Sequence, residues 1–386
     1  MLHSSGWLHR RSSPAEAGWS AGIASPKHNG LIVLTLNKSG IIFAVKISTL
    51  IQFLMKKFAS TLIIILILVG CSPVDHPDYS FEYETIIADT PTNLEKLNTT
   101  NDDYNSNLPY PAARSEIYFS SNRNSGGDNY DIICKAIDIS YHERDNILNF
   151  SIPTNDTYSS FQTKLLPFIN SQNDELGPFS FFGTNGWDYF FYSNNESGDF
   201  NIKFVYTRRL DWGTWDGQGS LLLKNATVVN SDSDDLYPTI TPDKSKLLFC
   251  SNRENDLFDI YSLDLNSDVL LHDDLTSTKS VEIRKESVLS GTSNDKCPSV
   301  TGNLIVFTSD RDGGYGGYDL YYSQFMNNQW STPVNFGDKI NSSSDEYRPI
   351  TFTFNGIDLM IFSSNRSGGK GGFDLYCVKI GELLKK

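Results

Sequence analysis

One sentence of sequence recurs five times between Glu116 and Ile380 of this 386-residue chain. An apolar run ends in Ser-Asn-Arg or a close variant, crosses a short Gly- or Asn-rich turn, and resumes as Asp-Leu-Tyr or Asp-Ile-Tyr. The copies are residues 118–133 (YFSSNRNSGGDNYDII), 191–203 (FYSNNESGDFNIK), 248–261 (LFCSNRENDLFDIY), 306–321 (VFTSDRDGGYGGYDLY) and 361–376 (IFSSNRSGGKGGFDLY). Counted at Arg123, Asn195, Arg253, Arg311 and Arg366, the steps are 72, 58, 58 and 55 residues. Repetition at this period means stacked units that cannot bury their faces alone.

The fourth copy predicts how a unit is built. A Pro-led strand at 297–301 turns at Gly302-Asn303 into an apolar strand at 304–309, which turns through 312–317 into a third at 318–325. A fourth strand follows Asn327-Asn328 at 330–336. Turn residues and β-branched or aromatic runs fall where hairpins want them. The expected fold is all-β, a β-propeller of four-stranded antiparallel blades, since a closed ring leaves only short edges. Five blades account for the copies, and the long first step, with its unassigned stretch 141–176, leaves room for a sixth.

Inside the repeat, Arg and Asp keep register with turn length. Arg123 and Asp131 are eight apart, as are Arg311 and Asp319 and also Arg366 and Asp374. Arg253 and Asp259 are six apart, where the Gly pair is missing. In the second copy both become Asn, at Asn195 and Asn201. Loss of both charges together predicts that the two pair across the base of the turn, because a lone buried charge is costly.

Residues 55–70 read as a signal peptide: Lys56 and Lys57 precede an apolar run at 58–69, and Leu-Val-Gly-Cys closes it at Cys71. That tetrapeptide resembles a bacterial lipoprotein cleavage box, which implies lipid on Cys71 and a chain held on a membrane by acyl groups. Residues 1–54 read as an upstream extension translated from too early a start, because their apolar stretches are broken by lysines into pieces too short to span. Ser72 after the cysteine leans towards the outer membrane, on either its periplasmic or its surface face. Residues 71–108 read as a polar tether. A strand near 79–87 within it is expected to supply the outer strand that the fifth copy lacks, leaving 109–386 as the propeller.

From Cys71 onward 25 Lys and Arg face 45 Asp and Glu, a net charge near -20. This disfavours nucleic acid as a partner. The four cysteines beyond Cys71 read as buried free thiols, the alternative being a bond between Cys250 and Cys297 of consecutive units. Three scattered histidines, His76, His142 and His272, offer no metal cluster and no triad, and no nucleophile elbow or phosphate loop is present. No cofactor, metal or catalytic residue is therefore expected. The acids that precede each blade's Pro (Glu175, Asp234, Asp235, Asp295, Asp345 and Glu346) repeat, and repetition suits a fold element better than a catalyst. The turn Asp310-Arg311-Asp312-Gly313-Gly314 invites calcium, but its counterpart at 365–369 has no carboxylate, so glycine conformation explains it more simply.

The run from Asp235 to Arg253 resembles the WD40-like propeller repeat of the TolB type, and the Gly-rich copies at 306–321 and 361–376 are similar to those of Bacteroidetes envelope lipoproteins. The resemblance covers 109–380. It implies a non-enzymatic platform in the cell envelope that binds envelope proteins, peptidoglycan-associated ones among them. The expected binding face carries the Gly-rich turns, with Tyr315, Tyr318, Lys370 and Phe373 as contacts. The competing expectation is a propeller that binds or hydrolyses glycans, with an asymmetric pocket and two carboxylates near the ring centre.

Overall fold

The computed structural model describes residues 31–34, 43–46, 84–153, 160–183, 186–208 and 220–384. Cys71 and the signal segment lie outside them, as does most of the 79–87 strand. Contacts divide the chain into two units, Met1–Ser80 and Phe81–Lys386. In the first, Leu31–Leu34 pairs antiparallel with Phe43–Lys46.

The second unit is a five-bladed β-propeller. Its inner strands are Asp103–Asn107, Glu175–Phe182, Asp235–Ile240, Asp295–Thr301 and Glu346–Phe354. Each starts an antiparallel meander running outward, for example Asp235–Ile240, Lys246–Ser251, Asp259–Asp264 and Ile283–Lys285 in the third blade. The apolar second strands read as continuous hydrophobic runs because both of their faces are buried. Alternate residues go to opposite neighbours: Leu247 and Phe249 pack towards the second blade, whereas Leu248 packs towards the fourth. Five such clusters fill the five gaps between blades, and a sixth lies on the axis.

The stretch 141–176 forms no sixth blade. The first blade's third strand runs to His142, its fourth is Ile147–Ser151, and the helix Ser160–Ile169 then packs Leu165 and Ile169 between the first and second blades.

Closure differs from expectation. The outer strand of the fifth blade is Thr92–Asn93, paired with Tyr376 and Cys377, whereas Thr85–Ile86 joins the outer edge of the first blade against Asn149 and Phe150. The propeller also begins before residue 109, since Asp103–Asn107 is already an inner strand and Leu94 and Leu97 are buried. The polar segment misleads because most of its buried residues are Asn, Asp and Ser, and Asn98, Asp103 and Asn107 pair with backbone. Asn98 takes the N–H of Leu375 at 2.8 Å and donates to its carbonyl at 3.0 Å. Asn170, Asn230 and Asn341 close the neighbouring blades in the same way on Ile132, Ile202 and Leu320.

Candidate functional site

The first residue of every inner strand is a wholly buried carboxylate: Asp103, Glu175, Asp235, Asp295 and Glu346. These acids, not the Asp of the third strand, receive the repeat arginines. Arg253 donates through Nη2 to Asp235 at 2.5 Å, Arg311 to Asp295 at 2.5 Å and Arg366 to Glu346 at 2.8 Å, and Arg123 bonds Asp103 likewise. The expected pairing across the turn is therefore corrected in all four blades.

In the first blade Asp131 is not the partner of Arg123. Asp131 opens the third strand and accepts from Asn124 Nδ2 at 2.9 Å, while Arg123 turns back to Asp103 on the inner strand. Asp319 is not the partner of Arg311: it accepts the N–H groups of Tyr315 and Gly316 from its own turn and the amide of Asn335. Asp374 is not the partner of Arg366, and does the same with Lys370, Gly371 and Asn93. In the third blade, whose turn lacks the Gly pair, Lys285 rather than Arg253 neutralises Asp259 at 2.5 Å. The physical reason is common to the four. The arginine leaves the end of the second strand, which pairs with the inner strand on one side and the third on the other, and the third-strand acid is already met by donors from its own turn or from the outer strand, which leaves the guanidinium to the inner-strand acid. The second blade has no arginine at the repeat position, where Asn195 stands. Glu175 is held by Ser171 and by Asn194 Nδ2 at 2.8 Å, and burial pushes its carboxyl up to about 7.

The residue before each buried acid latches one blade to the last. Asp102, Asp174, Asp234, Asn294 and Asp345 accept the backbone N–H of Phe373, Tyr130, Phe200, Phe258 and Tyr318 at 2.8 to 3.1 Å. The next N–H along donates back to the carbonyl of the same aromatic residue, as Asp295 does to Phe258 at 2.6 Å. The repeated acids are thus fold elements on the face that carries the Gly-rich turns.

On the axis, each inner strand has a left-handed residue at its third position: Asn105, Gly177, Tyr237, Cys297 and Arg348, with φ from 47 to 61°. The register shifts there in all five blades, a bulge that turns one side chain inward. At Gly177 a Cβ would lie 2.5 Å from the Tyr237 ring, so only glycine admits it. None of the five is a carboxylate, and the centre is filled by Tyr104, Tyr237, Tyr347, Cys250 and Cys297. The four cysteines Cys134, Cys250, Cys297 and Cys377 are buried free thiols.

Of the four residues expected on a binding face, Tyr318 and Phe373 belong to the latch ring and pack on Tyr347 and Tyr104, with centroids 5.4 and 5.8 Å apart. Lys370 is tied down, its Nζ donating to the carbonyl of Glu95 at 2.5 Å. Tyr315 is half exposed on its turn. Tyr318 and Phe373 both pack on Tyr347, at 5.4 and 6.2 Å, so the structure brings these two together.

A concavity that the repeats gave no sign of lies off the axis, between the third and fourth blades. It encloses about 450 Å³ and is lined by Trp330, Phe325, Val288, Asp243, Glu286 and Gln329 among others. Trp330 and Phe325 meet edge to face at 5.0 Å across the strand pair Phe325↔Trp330. Asp243 accepts from Thr241 and Ser245 in its own turn, and these hydrogen bonds hold its carboxyl below the usual range. The signal for this cleft is its asymmetry: Phe325 and Trp330 flank a two-residue Asn-Asn turn whose equivalents differ in the other blades. Among the described residues no group of three or more His, Cys, Asp or Glu is placed to hold a metal ion.

Blades, latches and axis define a five-bladed β-propeller. No family model matches the sequence, and comparison with curated proteins finds no match. Similar solved structures include an endo-arabinase from Bacteroides thetaiotaomicron, at 13% identity and a TM-score of 0.45, covering 76% of this chain and 97% of that one. Others are the catalytic domain of a Coprinopsis cinerea GH62 α-L-arabinofuranosidase (9%, 0.43, 77% and 96%) and a Cellvibrio cellulosa α-L-arabinanase (11%, 0.39, 72% and 91%). Likeness at this level shows the fold alone. The expectation of a TolB-type, non-enzymatic platform is corrected to this extent: the neighbours named are glycoside hydrolases and not TolB-type lipoproteins.

Proposed function

We propose that the protein acts on glycans and holds a carbohydrate chain in the cleft between the third and fourth blades. The observation that carries this is the free state of the cleft's polar groups. The side chains of Glu286, Asn328 and Gln329 and the indole N–H of Trp330 have no hydrogen-bond partner among the described residues. The acids of the repeat, by contrast, are engaged. A sugar ring offers an apolar C–H face rimmed by hydroxyls; Trp330 and Phe325 suit the face, and Glu286 and the two amides suit the rim. Asp243, fixed by its turn, and the unengaged Glu286 put two carboxylates of unequal environment on one cleft, which a division into acid and base requires. Lipid on Cys71 would hold this site at the cell envelope.

The test is binding and reducing-end release with arabino-, xylo- and gluco-oligosaccharides. Trp330→Ala should weaken binding tenfold or more, about 1.4 kcal/mol, with the far-UV spectrum unchanged. Release that disappears in Glu286→Gln would assign hydrolysis to the cleft. Affinity unaltered in Trp330→Ala, or no binding to any glycan at millimolar concentration, overturns the proposal.

A further inference from the structure

Arg348 is 1% exposed, the largest of the fully buried side chains. Its Nη2 donates to the carbonyl of Pro178 at 3.3 Å, but Nε and Nη1 have no partner, and no carboxylate lies within ion-pair distance among the described residues. The four repeat arginines each hold a carboxylate; this fifth, axial one holds none. Its guanidinium carbon stands 5.3 Å from the centre of the Tyr237 ring, a contact that offsets only part of a desolvated charge. At the equivalent position of the adjoining first blade, Asn105 is also wholly buried, and its Nδ2 and Oδ1 make no hydrogen bond of good geometry although the Tyr237 phenol is beside it.

The surroundings supply donors and no negative charge. Burial raises the phenols of Tyr104, Tyr237 and Tyr347 well above their ordinary range, so each remains an O–H. Burial likewise pushes the Cys250 thiol up to about 12 and the Cys297 thiol further, so neither is a thiolate. A buried cation without a counter-charge is among the costliest arrangements in a protein interior, and water alone does not neutralise it. A metal ion is repelled by the same charge.

We propose that the propeller axis is a binding site for a small monovalent anion, of the size of chloride, held between the Nε and Nη1 of Arg348 and the side-chain amide of Asn105. The ion neutralises the guanidinium and ties the fifth blade to the first, where the ring closes.

The experiment is thermal unfolding of the full chain at constant ionic strength in sodium gluconate, chloride, bromide or formate, with bromide-soaked crystals measured at the bromine edge. Chloride and bromide should raise Tm by about 3 °C or more over gluconate, increasing with the logarithm of concentration. An anomalous peak should stand within hydrogen-bond distance of Arg348 Nε or Nη1. Arg348→Met should lose the halide dependence and, in gluconate, melt no lower than the parent. A parent with no halide dependence and no axial peak overturns the proposal, as does a halide dependence kept in Arg348→Met. Should that variant fail to fold, the bromide peak in the parent decides. A response to formate with none to halide would identify a carboxylate as the occupant and overturn the halide assignment.

Discussion

Arg311 Nη2 lies 2.5 Å from Asp295 Oδ1, a carboxylate sixteen positions earlier on the inner strand, and the same guanidinium lies over the neighbouring rings of Phe307 and Tyr321 at 5.2 and 4.9 Å. It also donates to the carbonyl of Leu289 at 2.8 Å, so one side chain joins the inner strand, the hairpin and the loop that enters the blade. Three other blades repeat the arrangement with Arg123, Arg253 and Arg366.

Arg311→Ala strands the buried Asp295 and should cost about 3 to 5 kcal/mol. A double-mutant cycle in urea with Asp295→Asn should show coupling above about 1 kcal/mol, whereas the cycle with Asp319→Asn should be additive within about 0.5 kcal/mol. The reverse pattern would restore the hairpin pairing that spacing suggests.

Glu175, the one inner-strand acid without an arginine, makes stability fall with rising pH. Its carboxyl titrates at about 7 in the folded chain because of burial, against an ordinary value of 4.5. Between those values the native state binds more protons than the unfolded state, so the cost grows through this window and is complete above it. Glu175→Gln should abolish that component and gain about 2 kcal/mol at pH 8 relative to pH 5. Asn195→Arg, which supplies the missing guanidinium, should also flatten the profile. Unfolding curves at pH 5 and 8 are the measurement.

The latch of the fourth blade is written in reverse. Asn294 donates its N–H at 2.7 Å and its amide at 2.8 Å to Asp310, whereas in the fifth Asp345 takes the acid's place and Asn365 the amide's. Asn294→Asp alone sets two carboxylates face to face and should lower stability by about 1 to 2 kcal/mol. Adding Asp310→Asn should recover most of that loss. Differential scanning calorimetry of the single and double variants checks it.

Ring closure depends on a short strand. Asn93 Nδ2 donates to Asp374 at 2.8 Å, and Leu94 and Leu97 fill the cluster between the fifth and first blades. Asn93→Ala should cost about 1 kcal/mol. Leu97→Ala should cost about 2 to 5 kcal/mol and should speed hydrogen exchange in Asp374–Lys379 before other strands.

The repeat, the blade class, the Gly turns and the structural role of the acids before each Pro were legible in the residues, because all are local: hairpin chemistry and two-residue alternation act over a few positions. Arg123 and Asp131, like Arg311 and Asp319, share a hairpin and keep register, which made them look like partners. Register alone does not say which way a long side chain reaches, and Asp131 is met by Asn124 instead. Polar composition hid Thr92–Asn93 and Asp103–Asn107, since a strand that hydrogen-bonds through Asn and Asp carries no hydrophobic period.

What the sequence by itself determined is the repeating unit and its use as a propeller blade, through patterns each blade satisfies alone. Only the tertiary structure decided that five blades and not six make the ring, which carboxylate meets each arginine, which segment closes the ring, and that Arg348 is buried with no carboxylate partner among the described residues. Those contacts join residues 16 to 285 positions apart, from Arg311 and Asp295 to Cys377 and Thr92, brought together by the burial of blade faces against one another, and no local pattern encodes them.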